Sequence, residues 1–117
     1  MLVERKEHKE ADDSIGYIES VFESDNVLKT TYFPLMQRLY IAFSRGDTYS
    51  YGNITQELYE EFENAESQGK FFHKNINNRS KYPVRREFTL YPNEVQGLKQ
   101  IVEENKQEKE EEDDENS

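Results

Sequence analysis

The apolar residues of this chain fall into short runs whose period changes from segment to segment. Leu39, Ile41 and Phe43 alternate with Tyr40 and Ala42, the period-two pattern of a strand with one buried face. Val27 to Phe33 is rich in β-branched and aromatic residues and predicts a second strand, closed by Pro34, which cannot donate to a ladder. Ser44, Arg45, Gly46 and Asp47 make a turn in which Gly46 can take positive φ, and Thr48 to Tyr51 is the return strand. Arg86, Phe88 and Leu90 alternate with Glu87, Thr89 and Tyr91 between Pro83 and Pro92, which adds a fourth strand.

Helical spacing predicts three helices. Asp13 or Ser14 can cap a short helix bearing Ile15, Ile18, Val21 and Phe22, although Gly16 disfavours it. Thr55 starts a second, with Leu58, Tyr59, Phe62 and Ala65 on one stripe, Glu57, Glu60, Glu61 and Glu63 on the wet side, and Gly69 as a left-handed stop. Asn93 can cap a third bearing Val95, Leu98, Ile101 and Val102. Phe71 to Arg79 reads as an irregular connection.

The expected architecture is α+β: a small antiparallel sheet of three to four strands with one packed helix and flanking N- and C-terminal helices. It divides into a polar segment over 1–13, a helix over 14–25, a domain over 26–92, a helix over 93–103 and a disordered acidic tail over 104–117.

Composition supports a folded middle with polar ends. Only 33% of the 117 residues are apolar and 34% are charged, a balance that leans toward disorder unless the apolar residues are concentrated. All the aromatics lie between Tyr17 and Tyr91. The formal charge of −10 is distributed unevenly. Met1 to Asp25 carries −5 and Asn93 to Ser117 carries −7, whereas Asn26 to Pro92 carries +2. Within that middle, Lys70, Lys74, Arg79, Lys81, Arg85 and Arg86 occupy a stretch with no acidic residue. The absence of cysteine excludes disulfides, thiolate metal sites and a cysteine nucleophile. With no long apolar run and no secretory leader, the expectation is a soluble, cytoplasmic protein.

From Thr30 through Ile76 the order of marks resembles the KTSC domain, a short module named for its occurrence at the C-terminus of some lysyl-tRNA synthetases. The marks are Tyr32, then Leu39, Ile41 and Phe43, then Ser44-Arg45-Gly46, then Tyr49-Ser50-Tyr51, then Tyr59 and Phe62 on the helix. Ala65-Glu66-Ser67-Gln68-Gly69-Lys70-Phe71-Phe72 and His73-Lys74-Asn75-Ile76 complete them. Thr31 and Phe33 stand where family members often have Gly and Asp. The resemblance implies the same α+β module, and nucleic-acid or RNA binding by analogy with the synthetase.

The chemistry available is that of binding. Tyr49 and Tyr51 share a strand face and, beside the cations Lys70, Lys74, Arg79, Lys81, Arg85 and Arg86, would suit single-stranded nucleic acid, by stacking and by phosphate contacts. Against this stands the reading of both tyrosines as core. Asn75, Asn77 and Asn78 add donors and acceptors for bases or sugars. His73 has only the distant His8 as a second histidine, short of a zinc cluster, and no hydrolase, Walker or metalloprotease motif is present. The reading is therefore a non-enzymatic nucleic-acid-binding module without metal or cofactor. The alternative is an acidic interaction or regulatory factor, bacterial or phage-encoded, whose tail binds a basic surface of a nucleic-acid-handling host protein. No membrane partner is expected.

Overall fold

The computed structural model describes residues 1–115, and side chains as far as Glu108. Six strands form one antiparallel meander: β1 Leu2–Lys9, β2 Ile15–Phe22, β3 Val27–Phe33, β4 Arg38–Phe43, β5 Asp47–Tyr51 and β6 Val84–Thr89. Each strand pairs with its sequence neighbour, so β1 and β6 are the two edges. Between β5 and β6 the chain forms helix α1, Gln56–Asn64, and the short α2, Gln68–Phe71, which widens into a π-helical turn over Phe72–Ile76. Helix α3, Pro92–Glu115, follows β6.

The α+β class stands, and the sheet is larger than the three to four strands expected. The segment 14–25 is a strand and not a helix. Ile15, Ile18 and Phe22 satisfy helical spacing, but Ile18, Ser20 and Phe22 equally share one face of a strand, and all three are buried. Pairing with both β1 and β3 decides between the two periods, with Ile, Tyr, Val and Phe favouring the extended state. Asp13 and Ser14 make the β1–β2 turn instead of a helix cap. Asp12 Oδ1 accepts from the Ser14 amide at 3.1 Å and its hydroxyl at 2.6 Å, and Asp13 takes φ 68°, a turn use of the same side-chain chemistry. The polar segment 1–13 supplies the edge strand β1.

Two corrections concern the helices. Thr55 caps α1 as expected, its Oγ1 accepting from the Leu58 amide at 3.2 Å, but Gly69 is not the stop. The helix ends at Asn64, and Gly69 lies buried in α2, where a β-carbon would sit 2.9 Å from Asn26 Nδ2. The connection beyond it is helical because Ser67 caps α2 and the chain then continues in wide turns. At the C-terminus, α3 begins at Pro92, a favoured first helical residue, and Glu94 Oε1 accepts from the Tyr91 amide at 3.1 Å. The helix runs through the segment expected to be a disordered tail, as far as Glu115. Residues 116 and 117 and the side chains of 109–115 lie outside the described residues.

The core sits between one face of the sheet and α1 with α2. Tyr32 stacks on Tyr59 with centroids 4.5 Å apart, Phe22 meets Phe62 edge-on at 5.5 Å, and Leu39, Ile41 and Ile54 are fully buried. A polar chain runs through this layer. The Tyr59 hydroxyl contacts Ser20 Oγ at 3.0 Å and Thr30 Oγ1 at 3.1 Å, and Ser20 Oγ donates to Glu63 Oε2 at 3.1 Å. Glu63, expected on the wet side of α1, is buried. Helix α3 crosses the other face over β2 and β3, with Val95, Leu98, Ile101 and Val102 half-buried and Lys106 Nζ 3.1 Å from Glu23 Oε1.

Candidate nucleic-acid interface

Tyr49 and Tyr51 project from β5 toward the core layer. Tyr51 is 6% exposed, its ring edge-on to Phe72 at 5.3 Å and opposite Leu39 in the β4 register. Burial pushes its phenol up to about 12, nearby Tyr49 adds to the rise, and the positive charge of Arg79 opposes it. Tyr51 is therefore a core side chain and cannot serve as a stacking platform. Tyr49 is half-buried, edge-on to Phe43 at 6.1 Å and opposite Arg86 in the β6 register.

The six cations are all exposed. Lys70 stands on α2 and Lys74 on the π-helical turn. Arg79 and Lys81 belong to a turn organised by Asn78, whose Oδ1 accepts from the Ser80 amide at 3.1 Å and whose carbonyl accepts from the Tyr82 amide at 2.8 Å. Buried Tyr82 anchors that turn, and Lys81 Nζ lies 5.5 Å from its ring centroid. Arg85 and Arg86 are adjacent on β6 and so point to opposite faces. Arg85 Nε is 3.5 Å from Glu87 Oε1 and Arg86 Nη2 is 4.0 Å from Asp47 Oδ1. Among the described residues Lys70, Lys74, Arg79 and Lys81 have no carboxylate within 4.0 Å. The cations thus follow the chain from α2 around the β6 edge of the sheet.

The asparagines do less than their sequence positions suggest. Asn75 Nδ2 donates to the Phe71 carbonyl at 3.2 Å, so Asn75 and Asn78 both hold the backbone. Phe72 is buried against Tyr51 and Phe43, and Phe71 covers Phe62 from outside at 6.1 Å. Lys70 and His73 look into a cleft of ≈ 900 Å³ shared with Lys99 and Lys106 of α3, where Glu23, Asp25, Glu66 and Glu103 balance the charge. No group of three His, Asp or Glu side chains suited to a metal is found among the described residues.

A second aromatic group lies on the face opposite the core, with Tyr40 reaching the space beneath α3. His8 stacks on Tyr17 at 4.2 Å, Tyr17 on Phe33 at 5.5 Å, and Phe33 meets Tyr40 edge-on at 5.6 Å. All four are half-buried. Arg38 lies beside them, donating to Ser50 Oγ at 2.8 Å, and Ser50 donates in turn to Glu87 at 2.7 Å. Reading 1–25 as polar segment plus helix concealed this row, because its rings meet only when β1, β2 and β3 pair. The alternation of Tyr17, Glu19 and Val21 with Ile18, Ser20 and Phe22 was the available signal.

The KTSC domain family model matches residues 23–82, just over half of the chain. The chain belongs to the KTSC domain family. The matched segment takes in β3, β4, β5, α1, α2 and the π-helical turn, and leaves β1, β2, β6 and α3 outside. Among solved structures, the chain resembles a KTSC domain protein from Yersinia pestis at 27% sequence identity, with a TM-score of 0.56. The alignment covers 60% of this chain and 96% of that one. No curated protein is significantly similar to the chain.

Proposed function

We propose that this KTSC protein is a non-enzymatic nucleic-acid-binding module that holds single-stranded nucleic acid, RNA foremost, along the cationic path from α2 to the β6 edge. The observation that carries the reading is the state of the cations. Four of the six have no carboxylate within 4.0 Å among the described residues, and of these only Lys70 faces the acidic cleft, in a protein whose net charge is −10. Guanidinium and ammonium groups in that state can replace counterions along a phosphate backbone. Tyr49 offers one half-exposed ring beside Arg86, and the half-buried rings of Tyr17 and Phe33 offer further aromatic surface on the other face.

A salt titration of binding to single-stranded RNA and DNA, on the full chain and on a chain ending at Glu103, tests it. Binding that weakens steeply with salt supports the reading, and stronger binding by the shortened chain marks the acidic end of α3 as a competitor. No binding by either chain at low salt overturns it.

The second reading, an acidic factor that engages a basic protein surface, is favoured by one observation. The described acidic residues of the C-terminal sequence, Glu103, Glu104 and Glu108, are exposed on helix α3, which places them on a regular scaffold. A protein partner retained after nuclease treatment and lost on deleting residues 104–117 supports that alternative.

A further inference from the structure

We propose that the space between α3 and the sheet is a binding site for a small amphipathic carboxylic acid, with its apolar body inside and its carboxylate at Lys29. This site is independent of the cationic path and does not rest on its role.

The cavity measures ≈ 390 Å³, within the range of about 300 to 1,000 Å³ typical of small-molecule sites. Its floor is Tyr40, Ala42 and Thr48 of β4 and β5, and its roof is Gly97, Leu98 and Ile101 of α3. The space exists because the facing residues are small. A β-carbon built on Gly97 would meet no atom within 4 Å, and beneath it Ala42 and Thr48, paired across β4 and β5, are short side chains. The space is a cleft that opens to solvent past Phe88, Glu94 and Gly97, all exposed. Water can enter it, yet its lining is mostly apolar and offers few partners. An apolar occupant fits it better.

One cation, Lys29, orients that occupant. Thr48 is 3% exposed, and its Oγ1 is enclosed with no hydrogen-bond partner among the described residues, so this residue shapes the floor without reaching the occupant. Lys29 stands at the β3 end of the cavity, half-buried, with Nζ 3.1 Å from Glu19 Oε2. An ammonium has three donors, so a second carboxylate can bind beside Glu19, whose own charge Lys29 offsets, whereas no cation of the lining offsets Glu94. Glu94 lies at the β6 end, its Oε1 already accepting from the Tyr91 amide, and disfavours an anionic head there. The charges therefore select one orientation: carboxylate toward Lys29, chain toward Leu90 and Phe88. Roof and floor come from different parts of the chain, since the family match ends at Tyr82 and α3 lies beyond it.

Titration of the full chain with decanoate, followed by amide chemical shifts in NMR, tests the proposal. The expected result is saturable binding with the largest shifts at Ala42, Thr48 and Gly97. Gly97→Phe fills the roof and Ala42→Leu the floor, and each should weaken decanoate binding at least tenfold while the remaining spectrum stays folded. Having both keeps the test valid if one variant fails to fold. Lys29→Met should weaken decanoate severalfold and leave decanol unchanged. Absence of saturable shifts, shifts centred elsewhere, binding indifferent to both filling variants, or decanol binding as tightly as decanoate would each overturn it.

Discussion

Arg5 Nε donates to Glu63 Oε1 across 2.6 Å, joining the edge strand β1 to helix α1 over a gap of 58 residues in sequence. Glu63 is almost completely buried, whereas about a third of Arg5 remains in solvent, where Nη1 also meets Glu7 at 2.6 Å. Arg5→Ala leaves the Glu63 carboxylate facing Ser20 without a cation. The expected loss is about 1–3 kcal/mol of unfolding free energy, the cost of an unsatisfied buried group, read from urea midpoints. Replacing both residues, as Arg5→Met with Glu63→Leu, should cost less than the sum of the single changes, because residues in one network couple. Strict additivity would mean that the pair contributes no coupling.

Alkaline pH should unfold the protein through its buried phenols. Burial pushes Tyr51 up to about 12 and Tyr59 higher still, with Ser20 and Thr30 hydrogen bonds opposing the latter shift. A free tyrosine titrates near about 10. With the folded values raised, this stabilisation is fully present below about pH 10 and is lost as pH rises through the folded values. Phenolate absorbance of the native protein at about pH 11 should therefore fall short of that of the eight tyrosines in denaturant. Equal absorbance in the two states would contradict the packing of Tyr51 and Tyr59.

If the cationic path holds a single strand, Arg79→Gln combined with Lys81→Gln should lower the salt dependence of RNA binding. Each phosphate that is no longer neutralised reduces the slope of log K against log salt by about 0.7. Tyr51→Phe should leave affinity unchanged, since its ring is enclosed by the core. A slope unaltered by the double variant would move the interface away from this turn.

Gly46 has φ 99°, in the region that costs an L-residue about 1–2 kcal/mol. A β-carbon there would also lie 3.2 Å from the Leu90 carbonyl and 3.3 Å from Val95 Cγ2. Gly46→Ala should accordingly destabilise the protein by at least about 1 kcal/mol. It should also loosen α3, because the Leu90 amide donates to the Gly46 carbonyl at 2.8 Å. Thermal unfolding measures the first effect, and hydrogen exchange in the first turns of α3 the second.

What was legible in the chain depended on how local its information is. β3, β4, β5 and the Thr55 cap announced themselves because alternation, a Gly46 turn and a capping oxygen act within a few residues. β2 did not, since Ile15, Ile18 and Phe22 fit a stripe of either period and only pairing with β3 settles which. Beyond Leu2 and Val3, β1 carried no apolar pattern to find; its register along β2, from Glu4 on Val21 to Lys9 on Ile15, is set by the partner strand. The same distinction governs the candidate site. Exposure of Lys74, Arg79 and Lys81 follows from charge within a turn, while burial of Tyr51 follows from Phe72, which arrives from the far side of α1. The acidic residues after Glu103 gave no apolar face, yet Glu and Lys favour a helix once one is under way.

The composition that hid β1 from the sequence has a use at the rim of the sheet. An edge strand presents unpaired amides and carbonyls on which any extended chain can add itself, the route to aggregation. Glu4, Arg5, Lys6, Glu7, His8 and Lys9 place a charged or titratable group at every step along that rim, and a second copy aligning there would have to desolvate them in series. β1 therefore widens the sheet and closes it to further growth on that side.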